Sequence, residues 1–258
     1  RQATLYLGSV PIFYFPYYHR TFDKHPSHVT LTPGYRSRYG PYLLSAYNWH
    51  WTTNFAATFH LDYRQRRGVG LGPAVQYDLG RLGEGEASYY YTHDDNAGKD
   101  PAGFPINPHR HRINFSHQAM LNTNLTAKVA VREQSDAQFT RDFFEGEFHR
   151  DPQPRSFLEV NQAWPNFTLD VLAQAQVNEF FETIERLPDV KLTGLRQQLG
   201  ISPFYYESES SVGYFRHKFA EVSNLSTNVP PDPFAAFRAD AFHQLLWPQS
   251  YFGWLNIT

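Results

Sequence analysis

Residue types able to do chemistry gather in three places. His109, Arg110 and His111 are adjacent, and Asp94, Asp95 and Asp100 precede them in a polar stretch. Histidine with carboxylate could hold a divalent metal, but a zinc site needs more convergent ligands than two histidines on one strand face supply. The carboxylates also lack the spacing of a calcium loop. A second cluster, "RDFFEGEFHRD", carries Asp142, Glu145, Glu147 and Asp151. Paired carboxylates can hydrolyse a glycosidic bond. Nothing in the sequence orients a substrate between them, so the cluster reads as a charged external loop. The third place, "GVGLG" at Gly68–Gly72, reads as glycine at a strand start rather than as a nucleotide loop. There is no Gly-x-Ser-x-Gly for a hydrolase and no cysteine for thiolate chemistry. No catalytic residue, metal or cofactor is expected, and the chain is not expected to be an enzyme.

The elements around these residues have period two. In "NFAATFHLDYR" (Asn54–Arg64), Phe55, Ala57, Phe59, Leu61 and Tyr63 lie on one side, and His60, Asp62 and Arg64 on the other. "LTAKVAVR" and "FTLDVLAQAQVN" repeat the pattern. Such alternation is a strand with one apolar and one wet face. About thirteen segments follow it. They are His28–Arg38, Pro41–His50, Thr53–Arg64, Gly70–Leu79, Glu84–His93, Arg110–Met120 and Thr123–Gln134. Ser156–Ala163, Phe167–Asn178, Asp189–Leu199, Phe204–Lys218, Phe237–Leu246 and Tyr251–Thr258 continue the series.

Short and long connections alternate along this series. "WTT", "GRLGEG", "LNTN", "WPN", "GISP" and "WPQS" are tight, whereas "DDNAGKDPAGFPINPH" and "SDAQFTRDFFEGEFHRDPQPR" are long. Segregated loop lengths mark a membrane β-barrel, with short turns at one end and long loops at the other. Composition agrees: aromatics are 17% of 258 residues, charged residues 19%, and mean hydropathy is −0.55. Rings outside and uncharged polar groups inside would account for that mixture. A net charge of −2 offers no basic field for nucleic acid. The expected fold is all-β, an antiparallel transmembrane barrel seen in part. Its wet alternates, His60, Asp62, Arg64, Gln76, Asp78, Lys128, Arg132, Asp170, Gln174, Gln176, Lys191 and Arg196, would line the lumen. Near the start, "GSVPIFYFPYY" places Pro11 and Pro16 among aromatics. Two prolines exclude a buried helix there, so it reads as an extended edge strand ending in a rigid connection.

The order of motifs resembles the LptD family, the lipopolysaccharide-assembly proteins of the outer membrane, also called organic solvent tolerance proteins. "VPIFYFPYY" is similar to the segment that closes that family's periplasmic domain. "VTLTPGYRSRYG" resembles its first barrel strand, proline included, and "AYNWHWTTNFAATFHLDYRQRRGVGLGPAVQYDLG" the strands that follow. "DAQFTRDFF", "EFHRDPQPRSFLEVNQAW" and "ERLPDVKL" resemble motifs of the barrel's first half. The family's second strand carries a proline where this chain has Ser45 and Ala46.

The resemblance implies a division into residues 1–27, the end of a periplasmic domain and its junction, and residues 28–258, the first part of the barrel. A family barrel has about two dozen strands, so the chain is expected to be part of a longer protein. It implies that Pro11, Phe13, Phe15 and Pro16 form the junction. It implies a lateral gate at Thr32, Pro33 and Gly34, where a missing ladder donor weakens the seam between first and last strands. Implied partners are lipopolysaccharide, an LptE-like plug lipoprotein, a periplasmic LptA-like bridge and the bacterial outer membrane. No nucleic acid is implied. Two rivals remain: a passive porin-like barrel with the 135–155 loop as constriction, and a secreted glycan-binding β-sandwich.

Overall fold

Residues that alternate apolar and polar satisfy both environments only when extended, since successive side chains then point to opposite faces. The computed structural model describes residues 3–7, 10–15, 28–100, 103–221, 232–252 and 255–257. A first hairpin pairs β1 (Ala3–Leu7) with β2 (Val10–Phe15). Its register shifts between Leu5 and Tyr6, beside Pro11, which has no N–H to give the ladder. Pro16 lies outside the described residues.

Among the described residues the main sheet has twelve antiparallel strands, each beside its neighbour in the chain. In order they are β3 (His28–Arg36), β4 (Gly40–Thr52), β5 (Phe55–Arg64), β6 (Gly68–Asp78), β7 (Glu84–His93) and β8 (His109–Asn122). Then come β9 (Leu125–Gln134), β10 (Ser156–Ala163), β11 (Phe167–Ala175), β12 (Thr183–Gln198), β13 (Tyr205–Lys218) and β14 (Phe234–Leu246). The strand expected over Tyr251–Thr258 is instead divided: β15 (Gln249–Tyr251) pairs with β16 (Leu255–Ile257) in a separate hairpin. β12 starts six residues before the expected Asp189, because Pro188 interrupts the alternation there. The ladder absorbs that proline with a register shift between Arg186 and Asp189.

Among the described residues β3 and β14 have a neighbour on one side only. The architecture is that of a partial β-barrel, all-β and antiparallel. The only described α-helices, α1 (Phe139–Phe143) and α2 (Glu145–Phe148), sit in the connection from β9 to β10. No described helix is long and apolar enough to cross a membrane.

Burial is inverted relative to a water-soluble sheet. Leu31, Tyr47, Phe59, Leu61, Tyr63, Leu71, Ile113 and Val131 are exposed, while Asp62, Arg64, Thr92, Asp94, Arg110 and Arg112 are buried. The apolar side is bare, and the polar side is covered at the end that carries Asp62, Arg64, Arg110 and Arg112, while Gln76, Asp78 and Lys128 nearer the short turns are exposed. What covers that end is the α1–α2 connection: Phe139, Phe143 and Phe144 cluster with Tyr90 of β7. At the short-turn end, Trp49 and Trp51 stack with ring centroids 5.8 Å apart and Trp51 meets Phe55 edge to face.

Candidate functional site: an ion-paired inner wall under a docked loop

Register decides which side chains share a face. Asp78 pairs with Glu84, Glu84 with Gln118, Gln118 with Lys128 and Lys128 with Glu159. Asp62 pairs with Gly70, Gly70 with Thr92 and Thr92 with Arg110. Arg132 lies opposite Asn114, and Asp170 opposite Lys191. Followed strand by strand, His60, Asp62, Arg64, Gln76, Asp78, Lys128, Arg132, Asp170, Gln174 and Lys191 all fall on this one face. Gln176 lies past the end of β11, where its amide donates to the Phe181 carbonyl, and Arg196 meets Glu207 at 3.2 Å.

Arg110, fully buried, is the centre of this wall. It donates to Asp94 at 2.6 Å, to Asp142 at 3.0 Å and to both oxygens of Asp136 at 2.7 and 2.8 Å. Arg67 reaches the same Asp94 at 2.7 Å, and Arg38 reaches Asp142 at 3.3 Å. A second knot lies alongside. Arg64 donates to the Tyr90 hydroxyl at 2.8 Å, and both reach Asp62, at 3.2 and 2.8 Å. The Arg64 guanidinium also faces the rings of Tyr39 and Phe143, each centred 5.2 Å away. Buried charge is tolerated when paired and hydrogen-bonded, and every arginine of both knots is ion-paired, with Arg64 Nε and Arg67 Nε left without a hydrogen-bond partner.

The loop cluster is therefore not external. Asp142 is buried against Arg110, Arg67 and Arg38. Glu145 meets Arg36 at 2.6 Å, Glu147 meets Arg112 at 2.7 Å and Asp151 meets Arg132 at 3.3 Å. The Tyr39 hydroxyl donates to the Asp142 carbonyl at 2.6 Å. Burial pushes the Tyr39 phenol above its ordinary pKa, against the opposing pull of Arg64, Arg36 and Arg38.

"GVGLG" has a packing role beyond starting a strand. A Cβ on Gly70 would lie 2.0 Å from the Tyr90 hydroxyl, so glycine leaves the space through which Tyr90 reaches Asp62. The histidines of "HRH" point to the other face. His109 meets the Tyr91 hydroxyl at 2.6 Å and His111 meets Glu133 at 3.4 Å, whereas Asp94 belongs to the inner network. Among the described residues no three histidines or carboxylates gather to hold a metal.

On β3 the ladder with β4 runs unbroken from His28–Asn48 to Arg36–Gly40, through Pro33 opposite Leu43. Thr32, opposite Leu44, shares the inner face, and Pro33 the outer. A Cβ on Gly34 would lie 2.3 Å from the Tyr42 hydroxyl, so glycine lets that ring lie across the edge strand. Pro11, Phe13 and Phe15 lie in β2. Sequence reasoning missed Tyr39, Arg67, Tyr90, Asp94, Arg110, Arg112 and Asp136 as members of the wall. The alternation of Arg110, Arg112, Asn114 and Ser116 could have found the β8 members. The contact of Arg38 with Asp142 joins residues 104 apart, and no local pattern encodes it.

A sheet with a bare apolar face, a charged inner face and a loop folded over that inner face is a wall segment of a membrane-type β-barrel. No known family profile matches the chain. In sequence it is LptD-like. It is 27% identical over 246 residues to the LPS-assembly protein LptD of Pseudoalteromonas translucida, covering 92% of this chain and 31% of that protein. It is 26% identical over 221 residues to the LptD of Pseudomonas putida, covering 81% and 23%. With the LptD of Xanthomonas campestris pv. campestris it shares 29% identity over 145 residues, or 55% and 17%. The chain thus spans less than a third of the length of each of these relatives.

Proposed function

We propose that this chain is part of the wall of an outer-membrane barrel that places lipopolysaccharide in the outer leaflet. The observation that carries the reading is the inverted burial, with Leu61 and Phe59 bare on one face and Arg64, Asp94 and Arg110 buried on the other. Lipid satisfies the first face and a watery lumen the second. The sugar-rich head group would pass along the inner wall while the acyl chains stay with the bilayer. β3 would be one side of a lateral gate, since Pro33 has no N–H to offer any strand beside it. The β1–β2 hairpin, with Pro11, Phe13 and Phe15, would join a periplasmic domain that receives lipid from an LptA-like bridge. An LptE-like lipoprotein would plug the lumen. The role is transport, not catalysis.

The test uses the complete protein that carries this segment, in vesicles with labelled lipopolysaccharide. Thr32→Cys is combined with a cysteine on the last barrel strand. Oxidation is expected to stop transfer to the outer leaflet and reduction to restore it. Transfer at an equal rate through the locked seam would sink the gate. The docked α1–α2 connection favours one other reading, a passive pore with a constriction loop. In that case small solutes would leak through the locked barrel while lipopolysaccharide never moves.

A further inference from the structure

The loop across the inner wall has two unlike halves. Around α1 the ion pairs are sealed: Arg110 and Asp94 side chains are both 0% exposed. Around α2 the carboxylates are open: Glu147 is 44% exposed over Arg112, itself only 9% exposed, and Arg132 and Asp151 are 40% and 47% exposed. The exposed Arg132–Asp151 pair contributes little to stability, and the exposed Glu147 carboxylate can leave the buried Arg112 to a better-matched anion.

A cavity of about 610 Å³ opens beneath α2. Glu86, Ser88, Arg112, Asn114, Arg132 and Arg150 are among its walls. The volume is within the usual range for a small-ligand site. Arg112 lies 3.7 Å over the Phe144 ring, which fixes the plane of its guanidinium. That fork reaches the two oxygens of Glu147 at 2.7 and 3.4 Å. A phosphate offers the same two-pronged acceptor with more charge.

We infer that Arg112 and Arg132 form a site for the phosphate of a phosphorylated saccharide, and that Glu147 and Asp151 occupy it as internal competitors. Ser88 and Asn114 supply neutral hydrogen-bonding groups for sugar hydroxyls. An arriving phosphate takes the two guanidinium groups, the α2 half of the loop lifts, and the α1 half stays anchored through Arg110. The site's chemistry is common to a free sugar phosphate and a lipid-linked one; the lipid-linked source rests on the proposed function.

The complete protein in detergent is titrated with glucose 6-phosphate, with glucose and with lipopolysaccharide. A spin label at Gly146→Cys, where an added Cβ meets nothing within 4 Å, reports the position of α2. Removing the competitors in E147Q/D151N is expected to tighten glucose 6-phosphate binding about tenfold, and R112Q/R132Q to weaken it by a similar factor. Glucose affinity stays the same in both. In the unsubstituted protein the label moves as the phosphate sugar saturates. Unchanged or weaker binding by E147Q/D151N overturns the inference, as does a label that stays in place at saturation. If R112Q/R132Q fails to assemble, the gain in the other variant still decides. Should glucose 6-phosphate follow the pattern while lipopolysaccharide does not, the anion site stands and the lipid cargo of the proposed function falls. Should lipopolysaccharide cross the seam while neither phosphate probe distinguishes the variants, the function stands and this site falls.

Discussion

Tyr90 shows how a single side chain organises the inner wall. Its hydroxyl donates to Asp62 and accepts from Arg64, and its ring meets Phe139 and Phe144 of the loop. It can do so because β6 opposes its ring with Gly70, where any Cβ would meet the Tyr90 hydroxyl, while Gly72 lets the Tyr89–Tyr90 backbone approach. Gly70, the middle glycine of "GVGLG", is thus the space a tyrosine fills. Gly70→Ala should therefore displace Tyr90 and open the Asp62–Arg64 knot, costing about 1–3 kcal/mol through groups left unsatisfied. A double-mutant cycle in urea isolates the cause. In a Tyr90→Ala background the same Gly70→Ala change should add almost nothing. Full additivity of the two substitutions would mean that the glycine is needed for its backbone and not for the tyrosine.

Strands and loop were legible to different degrees for one physical reason. A strand between lipid and water writes its environment into every second residue. Thus Phe59, Leu61 and Tyr63 on one face and His60, Asp62 and Arg64 on the other could be read directly. The 139–148 segment writes no such period. Helices of five and four residues have no stability of their own and form here because Phe139 and Phe143 find Tyr90. Its carboxylates look like any solvated loop until the arginines of β8 are set beside them. Pro188 hid the start of β12 in the same way, by interrupting a pattern that the ladder itself survives. If packing of α1 holds the loop, Phe139→Ala should release it, since emptying a fully buried aromatic site costs about 3–5 kcal/mol. Trypsin should then cut at Arg141 and Arg150 much faster, with the sheet still folded. Cleavage at the unsubstituted rate would show that the ion pairs alone hold the loop.

At the scale of the whole molecule the two faces of one sheet must live in different solvents. Among the described residues no element covers the outer face, yet it carries Leu31, Phe59, Leu61 and Leu71, all more than 45% exposed. In water such a face would associate or precipitate. In a bilayer it is the cheapest surface the protein could present, and a charge placed on it becomes expensive. Leu61→Arg, in the middle of β5, should cost about 2–4 kcal/mol when the complete protein is folded into vesicles and titrated with urea. Gln76→Arg, on the inner face of the neighbouring strand, should change stability by no more than about 0.5 kcal/mol, as an ordinary wet-surface substitution does. The contrast between the two is the measurement, because it cancels whatever an extra arginine does to the unfolded chain. Equal costs on the two faces would remove the bilayer from the account of this fold, and with it the reading of β3 as one side of a gate.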